Sequence, residues 1–323
     1  MKNYTFVDYA TQGYTLVVGL LILCFHNATV PHWPSLLVTH VANLALVHGL
    51  ILWCSQAPQV KFIGLLRHFY PVLLYTWFFS ETGWLNRMFF TTYLDPVVIG
   101  WDQAIFGCQP SVLFMEKVPW LAVSEVFYAS YFSYYIMISG VGIFLYLKDL
   151  RQFFHYVSVV SFVFYLCYLI YIVVPVIGPR MFFHDIAGYT VPAEIQALAP
   201  TDEYPEAVQR GVFFGIMSWI YKVFEAPGAA IPSSHVAVAT TTVFFSFQYV
   251  RRIRFLHLGI AILLCLSTIY CRYHYVADVL AGLVTATVLI PLGNWLYFRF
   301  GSGREFQTSE RIVREALENS KGK

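Results

Sequence analysis

Residues 153–177 read FFHYVSVVSFVFYLCYLIYIVVPVI, a run without a single Asp, Glu, Lys or Arg. A helix of about 20 mostly apolar residues crosses the hydrocarbon core of a bilayer, and this run is longer than that. The rest of the chain agrees with it. Of 323 residues, 58% are hydrophobic and 12% are charged. Soluble domains carry about 25% charged residues, so this chain cannot clothe a water-facing surface. Further spans are expected near 9–26, 35–54, 64–82, 124–147, 234–250, 254–272 and 278–298. The expected fold class is therefore all-α, a polytopic transmembrane helical bundle. A net charge of +2 with no dense basic stripe excludes nucleic acid as a partner and leaves the bilayer itself.

Loop charge gives the orientation. Lys61 and Arg67 fall near the second-to-third connection, Lys148 and Arg151 in the fourth-to-fifth, and Arg251, Arg252 and Arg254 in the sixth-to-seventh. Lys2 precedes the first span, and Arg299, Arg304, Arg311 and Arg314 follow the last. With eight spans all of these share one face, which the positive-inside rule makes cytoplasmic, together with both termini. The opposite, extracytoplasmic face holds a loop at 27–33 without Lys or Arg and the long segments 83–123 and 178–233. Segment 83–123, with Asp95-Pro96, Trp101, Asp102 and Phe106-Gly107, reads equally well as an interfacial helix or as a packed loop. Trp219, Tyr221 and Phe224 suit headgroup level, and Asn27-Ala28-Thr29 is a glycosylation acceptor pattern on that outer side.

The N-terminus lacks a cleavable-signal pattern, so the first span is expected to act as the targeting signal. Cys24, Cys54, Cys108, Cys167, Cys265 and Cys271 sit mostly within apolar runs and show no C-x-x-C spacing, which gives neither a zinc site nor a disulfide framework. No cofactor or metal is expected.

Three polar clusters lie at span ends, where ionisable groups are costly and function is the default expectation. They are Pro175-Val176-Ile177-Gly178-Pro179-Arg180, Pro232-Ser233-Ser234-His235, and Arg272-Tyr273-His274-Tyr275-Val276-Ala277-Asp278. All three fall on the outer face of the topology above, which was built without them. His274 and Asp278 are one helical turn apart, so a carboxylate can fix one imidazole nitrogen and free the other as nucleophile or base. Ser233 and Ser234 open a helix, where unpaired N–H groups favour an anion. His235 can then protonate a departing alkoxide, while Arg180 and Arg272 offer planar donors to a phosphoryl group. Taken singly, each motif is more often a helix cap or an interfacial anchor; their joint order on one face is specific. His184 and Asp185 are close enough to Arg180 to line the same pocket. His26, His32, His40, His48, His68, His155 and His257 read as packed or interfacial.

On these residues the chain resembles the type 2 phosphatidic acid phosphatase (PAP2) superfamily, whose pattern is Lys-x6-Arg-Pro, Pro-Ser-Gly-His and Ser-Arg-x5-His-x3-Asp. The second block stands as Pro232-Ser233-Ser234-His235 and the third as Ser267-Thr268-x5-His274-x3-Asp278, followed by Val279-Leu280-Ala281-Gly282. The resemblance covers roughly residues 64–298. Two positions depart from it: the first-block Lys position is Val173, and the third-block Arg position is Thr268. With the Pro-x3-Pro-Arg form around Arg180, this is similar to the branch containing inositol phosphorylceramide synthases. Thr268 and Arg272 are four apart, so Arg272 is expected to restore the missing guanidinium from the same helical face.

The resemblance implies a six-helix core preceded by about two helices: 1–63 as N-terminal transmembrane helices, 64–300 as the catalytic membrane domain, 301–323 as a cytoplasmic tail. It implies His274 as the nucleophile forming a phosphohistidine, Asp278 as its orienting group and His235 as general acid. Arg180, Ser233, Ser234 and Arg272 would bind phosphate, without metal. The expected activity is hydrolysis of a phosphorylated lipid. The rival is a phosphotransferase passing the phospho-headgroup to a polyol or lipid alcohol, and a more distant rival is a non-catalytic transporter or scaffold.

Overall fold

A computed structural model of the chain describes residues 4–57, 60–183, 189–201, 203–224 and 228–300. The described residues form α1 (Phe6–Phe25), α2 (Trp33–Gln56), α3 (Lys61–Leu85), α4 (Asp95–Phe106), α5 (Pro110–Lys117), α6 (Leu121–Lys148), α7 (Leu150–Val173), α8 (Pro179–Phe182), α9 (Ala193–Gln196), α10 (Glu206–Gln209), α11 (Val212–Phe224), α12 (Ser234–Tyr249), α13 (Arg254–Tyr270) and α14 (Val276–Phe300). The fold is an all-helical polytopic bundle, and its eight long helices fall where the apolar runs predict them. Five, namely α1, α2, α6, α7 and α14, are long and apolar enough to cross a membrane. Of the others, α3 has the length but carries Lys61, Arg67 and Glu81, while α12 and α13 have 16 and 17 residues. Those two fall short of the span length of about 20 residues.

The run quoted first forms the axis. Asp149 ends α6 and caps α7, its side chain accepting from the Arg151 and Gln152 N–H groups. From there α7 packs against α1, α3, α6, α12 and α14. Valines on α7 allow these helices to approach, and its tyrosines send their hydroxyls to partners within the bundle, as burial away from water requires. Tyr165 pairs with Thr11 at 2.9 Å, and Tyr156 with Thr242 at 3.1 Å.

At one end of the bundle, Asp8 of α1 takes hydrogen bonds from the Arg67 guanidinium and from Tyr70. Arg67 is therefore not a loop charge: α3 starts at Lys61, and Arg67 is buried and paired within it. The other end gathers the connections at 86–94, 174–178, 228–233 and 271–275. Here residues 95–106 form a helix, α4, rather than a loop. Asp95, Val98, Ile99 and Asp102 form its buried face, while Trp101 and Phe106 are exposed. Trp219 is exposed, but Tyr221 turns inward, so it does not act as a headgroup anchor. The Phe224 side chain, His184, Asp185 and residues 301–323 lie outside the described residues.

Gly282 fixes how closely α14 meets the start of α12. A Cβ there would stand 2.6 Å from the Ser233 carbonyl oxygen. Gly282→Ala should therefore destabilise the protein by about 1–3 kcal/mol, read as a lower Tm in detergent. Gly259→Ala, with nothing within 4 Å of the new Cβ, should leave Tm unchanged or raise it. Equal Tm for the two variants would contradict this packing.

Candidate active site

The site is built where two helices start. Ser233 caps α12, its Oγ accepting from the Val236 N–H at 3.4 Å, and the Ser234 N–H donates to the Tyr171 hydroxyl at 2.9 Å. Two first-turn donors are thus already used within the protein. What this turn presents is His235, whose Nε2 lies 2.9 Å from the Tyr131 hydroxyl. Its Nδ1 is buried and has no hydrogen-bond partner among the described residues. Tyr131 in turn shares a hydrogen bond with Tyr221.

The second start is α14. Asp278, in its first turn, accepts from the Tyr275 N–H at 2.9 Å, as an acidic side chain in a capping box does. The same oxygen faces His274 Nδ1 at 3.4 Å. The Asp278 carbonyl receives the Ser233 N–H at 3.0 Å, tying the two helix starts together. The His274 and His235 rings then lie 5.7 Å apart between centroids. His274 is 3% exposed, and this burial drives its pKa down to about 4, with the Ala230 carbonyl acting in the opposite direction. The imidazole is accordingly neutral at physiological pH.

Arg180 closes the third side. Gly178, at φ 90°, turns the chain after α7, and a Cβ there would come within 2.8 Å of the Tyr273 carbonyl oxygen. The guanidinium of Arg180 lies over the Tyr221 ring at 4.7 Å and near the Tyr273 ring at 5.7 Å. Those two rings stack at 4.3 Å, and Tyr131 lies 4.6 Å from Tyr273. A tyrosine wall thus links the arginine to His235.

Arg272 departs from expectation. It does not share a helical face with Thr268, because α13 ends at Tyr270. The Tyr273 N–H bonds the Thr268 carbonyl and the Arg272 N–H that of Ile269, the pattern of a helix-terminating turn whose left-handed position usually holds glycine. Arg272 occupies that position with φ 61°. Its guanidinium bonds the carbonyl oxygens of Glu203 at 2.5 Å and Val112 at 3.5 Å, and lies 3.8 Å from the Glu116 carboxylate. These contacts anchor the loop before His274 to α5. Val173, at the end of α7, is exposed, and Thr268 is buried with its hydroxyl bonded to the Cys265 carbonyl.

Two residues that sequence reasoning did not place in the site prove central to it. Asp95 accepts from the Ile177 and Gly178 N–H groups and from the Tyr275 hydroxyl, at 3.0, 2.9 and 2.9 Å. Burial pushes its carboxyl up to about 7, and the three donors work in the other direction. Asp102 accepts from the Val276 and Ala277 N–H groups at 2.9 and 3.0 Å, capping α14 from outside. Their spacing of seven, two turns of one helix face, is the signal that marks them as a pair.

Neither the curated proteins nor the solved structures offer a match to this chain. A family model does: the one described as the PAP2 superfamily matches residues 97–292. The matched part runs from α4 into α14, contains His235, His274 and Asp278, and leaves α1 to α3 outside. Membership suggests an enzyme of phosphatase or phosphotransferase type. With more than half of its length matched, the chain belongs to the PAP2 superfamily.

Proposed function

We propose that this protein is a lipid phosphatase that hydrolyses a phosphorylated lipid through a phosphohistidine at the extracytoplasmic face. The observation that carries this reading is the paired histidines. His274 is neutral, with Nδ1 turned to Asp278, and His235 presents a buried Nδ1 without a partner 5.7 Å away between ring centroids. His274 Nε2 attacks phosphorus, and the P–N bond forms as the P–O bond to the lipid breaks. His235, protonated once the phosphate anion is bound beside it, gives its Nδ1 proton to the departing oxygen and returns to the neutral imidazole, with Tyr131 holding Nε2. Water then attacks the phosphohistidine, His235 accepts its proton, and phosphate leaves. Arg180 and the Ser234 hydroxyl carry the charge that develops on the phosphoryl oxygens. Arg272, engaged with carbonyl groups and Glu116, acts by positioning the His274 loop.

The outer placement rests on the cationic connections Lys148–Arg151 and Arg251–Arg254 at the far end of the bundle from the histidines. A second reading, phosphoryl transfer to an alcohol, rests on Val173 and Thr268. Both departures are shared with the inositol phosphorylceramide synthase-like branch. The two reactions have the same first half.

His274→Ala should abolish release of phosphate from lipid phosphates and remove the acid-labile phosphoprotein seen on rapid quench. His235→Ala should lose about 10²–10⁴-fold on alkyl phosphates but regain most of that on a nitrophenyl phosphate, whose leaving group needs no proton. Loss of equal size on both substrates would remove His235 from the acid role. Free phosphate unaffected by added inositol supports hydrolysis, whereas a phosphoinositol product at its expense establishes transfer.

The acidity of His274 sets a pH limb. A histidine held near 4 stays neutral, hence nucleophilic, down to that pH and loses function only below it. The acid limb of kcat/KM on nitrophenyl phosphate should therefore fall near pH 4. A limb near 6.5, the ordinary histidine value, would mean that a different group controls attack.

A further inference from the structure

A cavity of about 630 Å³ reaches the start of α12. Its mouth is formed by His235, Ser234 and Tyr221, and its walls come from α3, α6 and α7. Along α7 it extends from Tyr168 to Phe153, about 22 Å at 1.5 Å per residue. At the far end Phe69, Tyr146 and Phe153 close on one another, with ring centroids 5.0, 5.3 and 5.3 Å apart. Among the described residues lining it there is no Asp, Glu, Lys or Arg.

We infer that this cleft seats one long hydrocarbon tail of the phosphorylated lipid, and that the Phe69–Tyr146–Phe153 floor measures its length. The inference rests on the reading of His274 and His235 as the phosphoryl-transfer pair. The walls are apolar and one end touches the candidate site at Ser234 and His235, so the occupant is a molecule with a phosphoryl head and an apolar remainder. Spread over its length, the volume leaves a section of roughly 30 Å², room for one chain whose carbons keep neighbours at about 4 Å. At about 1.25 Å of advance per tetrahedral carbon, the cleft accepts about eighteen carbons. Val72 of α3 and Ile143 of α6 line it while exposed on the outer surface of the bundle, which gives a tail lateral entry from the bilayer.

A tail leaving lipid for this cleft exchanges one apolar environment for another, so burial alone selects nothing. Selection has to come from fit, and a rigid aromatic floor supplies it. One wall, α3, lies outside the segment matched by the family. Phe69 of the floor comes from that wall, while Tyr146 and Phe153 lie within the matched segment.

The test uses n-alkyl monophosphates with C8, C12, C16 and C20 tails in one detergent. For the wild type, kcat/KM should rise to about C16 and fall at C20. Ser139→Trp, placed on the cleft wall of α6 between mouth and floor, should lower the C16-to-C8 ratio of kcat/KM at least tenfold. Phe153→Ala should raise the C20-to-C16 ratio several-fold. Ratios unchanged in both variants, whatever the absolute rates, would overturn the proposal, because a general folding defect scales all tails alike. A hexadecyl phosphonate bearing a terminal diazirine provides a readout independent of turnover. Photolabelling of the wild type should map to Phe69, Tyr146 or Phe153. Label at the floor without turnover of any alkyl phosphate would defeat the hydrolase reading and keep the tail seat. Turnover with label elsewhere would do the reverse.

Discussion

Asp278 holds this site together with two atoms. One carboxylate oxygen closes the first turn of α14 through the Tyr275 N–H and faces His274, and the carbonyl receives the Ser233 N–H that starts α12. His235 stands in the first turn of α12 and His274 in the loop before α14, 39 positions apart in the chain, and Asp278 touches both elements across their 5.7 Å separation. The second carboxylate oxygen is buried without a hydrogen-bond partner among the described residues. Such a group is expensive away from water, and its retention beside a neutral imidazole fits a carboxylate that is needed when His274 gains positive character during attack.

The surrounding structure serves the same geometry by restraint from outside. Asp95 and Asp102, both on one face of α4, grip the backbone on either side of the site: Ile177 and Gly178 before Arg180, Val276 and Ala277 after His274. Helix termini ordinarily leave four N–H groups without intrahelical partners. Here Asp102 of a neighbouring helix supplies acceptors beside the local cap from Asp278, so α14 can start abruptly beneath the loop that carries His274. Arg272 holds the other side of that loop. A non-glycine residue in the left-handed region costs of order 1–3 kcal/mol, and its guanidinium contacts to Glu203, Val112 and Glu116 oppose that cost.

This division explains what was legible in the sequence. Apolar runs of span length depend on composition alone, so the eight long helices follow from it. The pairing of His274 with Asp278 and the cap at Ser233 are local, fixed by one-turn spacing, and so they too can be read directly. Arg272 was misjudged because spacing of four implies a shared face only while the helix continues, and α13 stops at Tyr270. Asp95 and Asp102 were visible as polar residues in an apolar stretch, but their partners lie more than 70 positions away in the chain. No local pattern encodes that distance. Tyr131 was hidden for a related reason: one tyrosine among 23 carries no mark until the fold brings it to His235.

The shape of the apolar cleft bears on what attacks the phosphohistidine. After the first half-reaction the lipid alcohol still occupies the tail seat, and a section of roughly 30 Å² takes one chain at a time. A second lipid alcohol must wait for the first to leave before it can reach His274, whereas water needs no seat at all. On the proposed reading, transfer between two lipids requires exchange of the product for the acceptor in the same seat before the second half-reaction. A small polyol does not compete for the cleft, and its access depends on the loops around Arg180 and Tyr204. On the proposed reading, a one-tail cleft thus admits water or a polyol at once and a lipid acceptor only after that exchange.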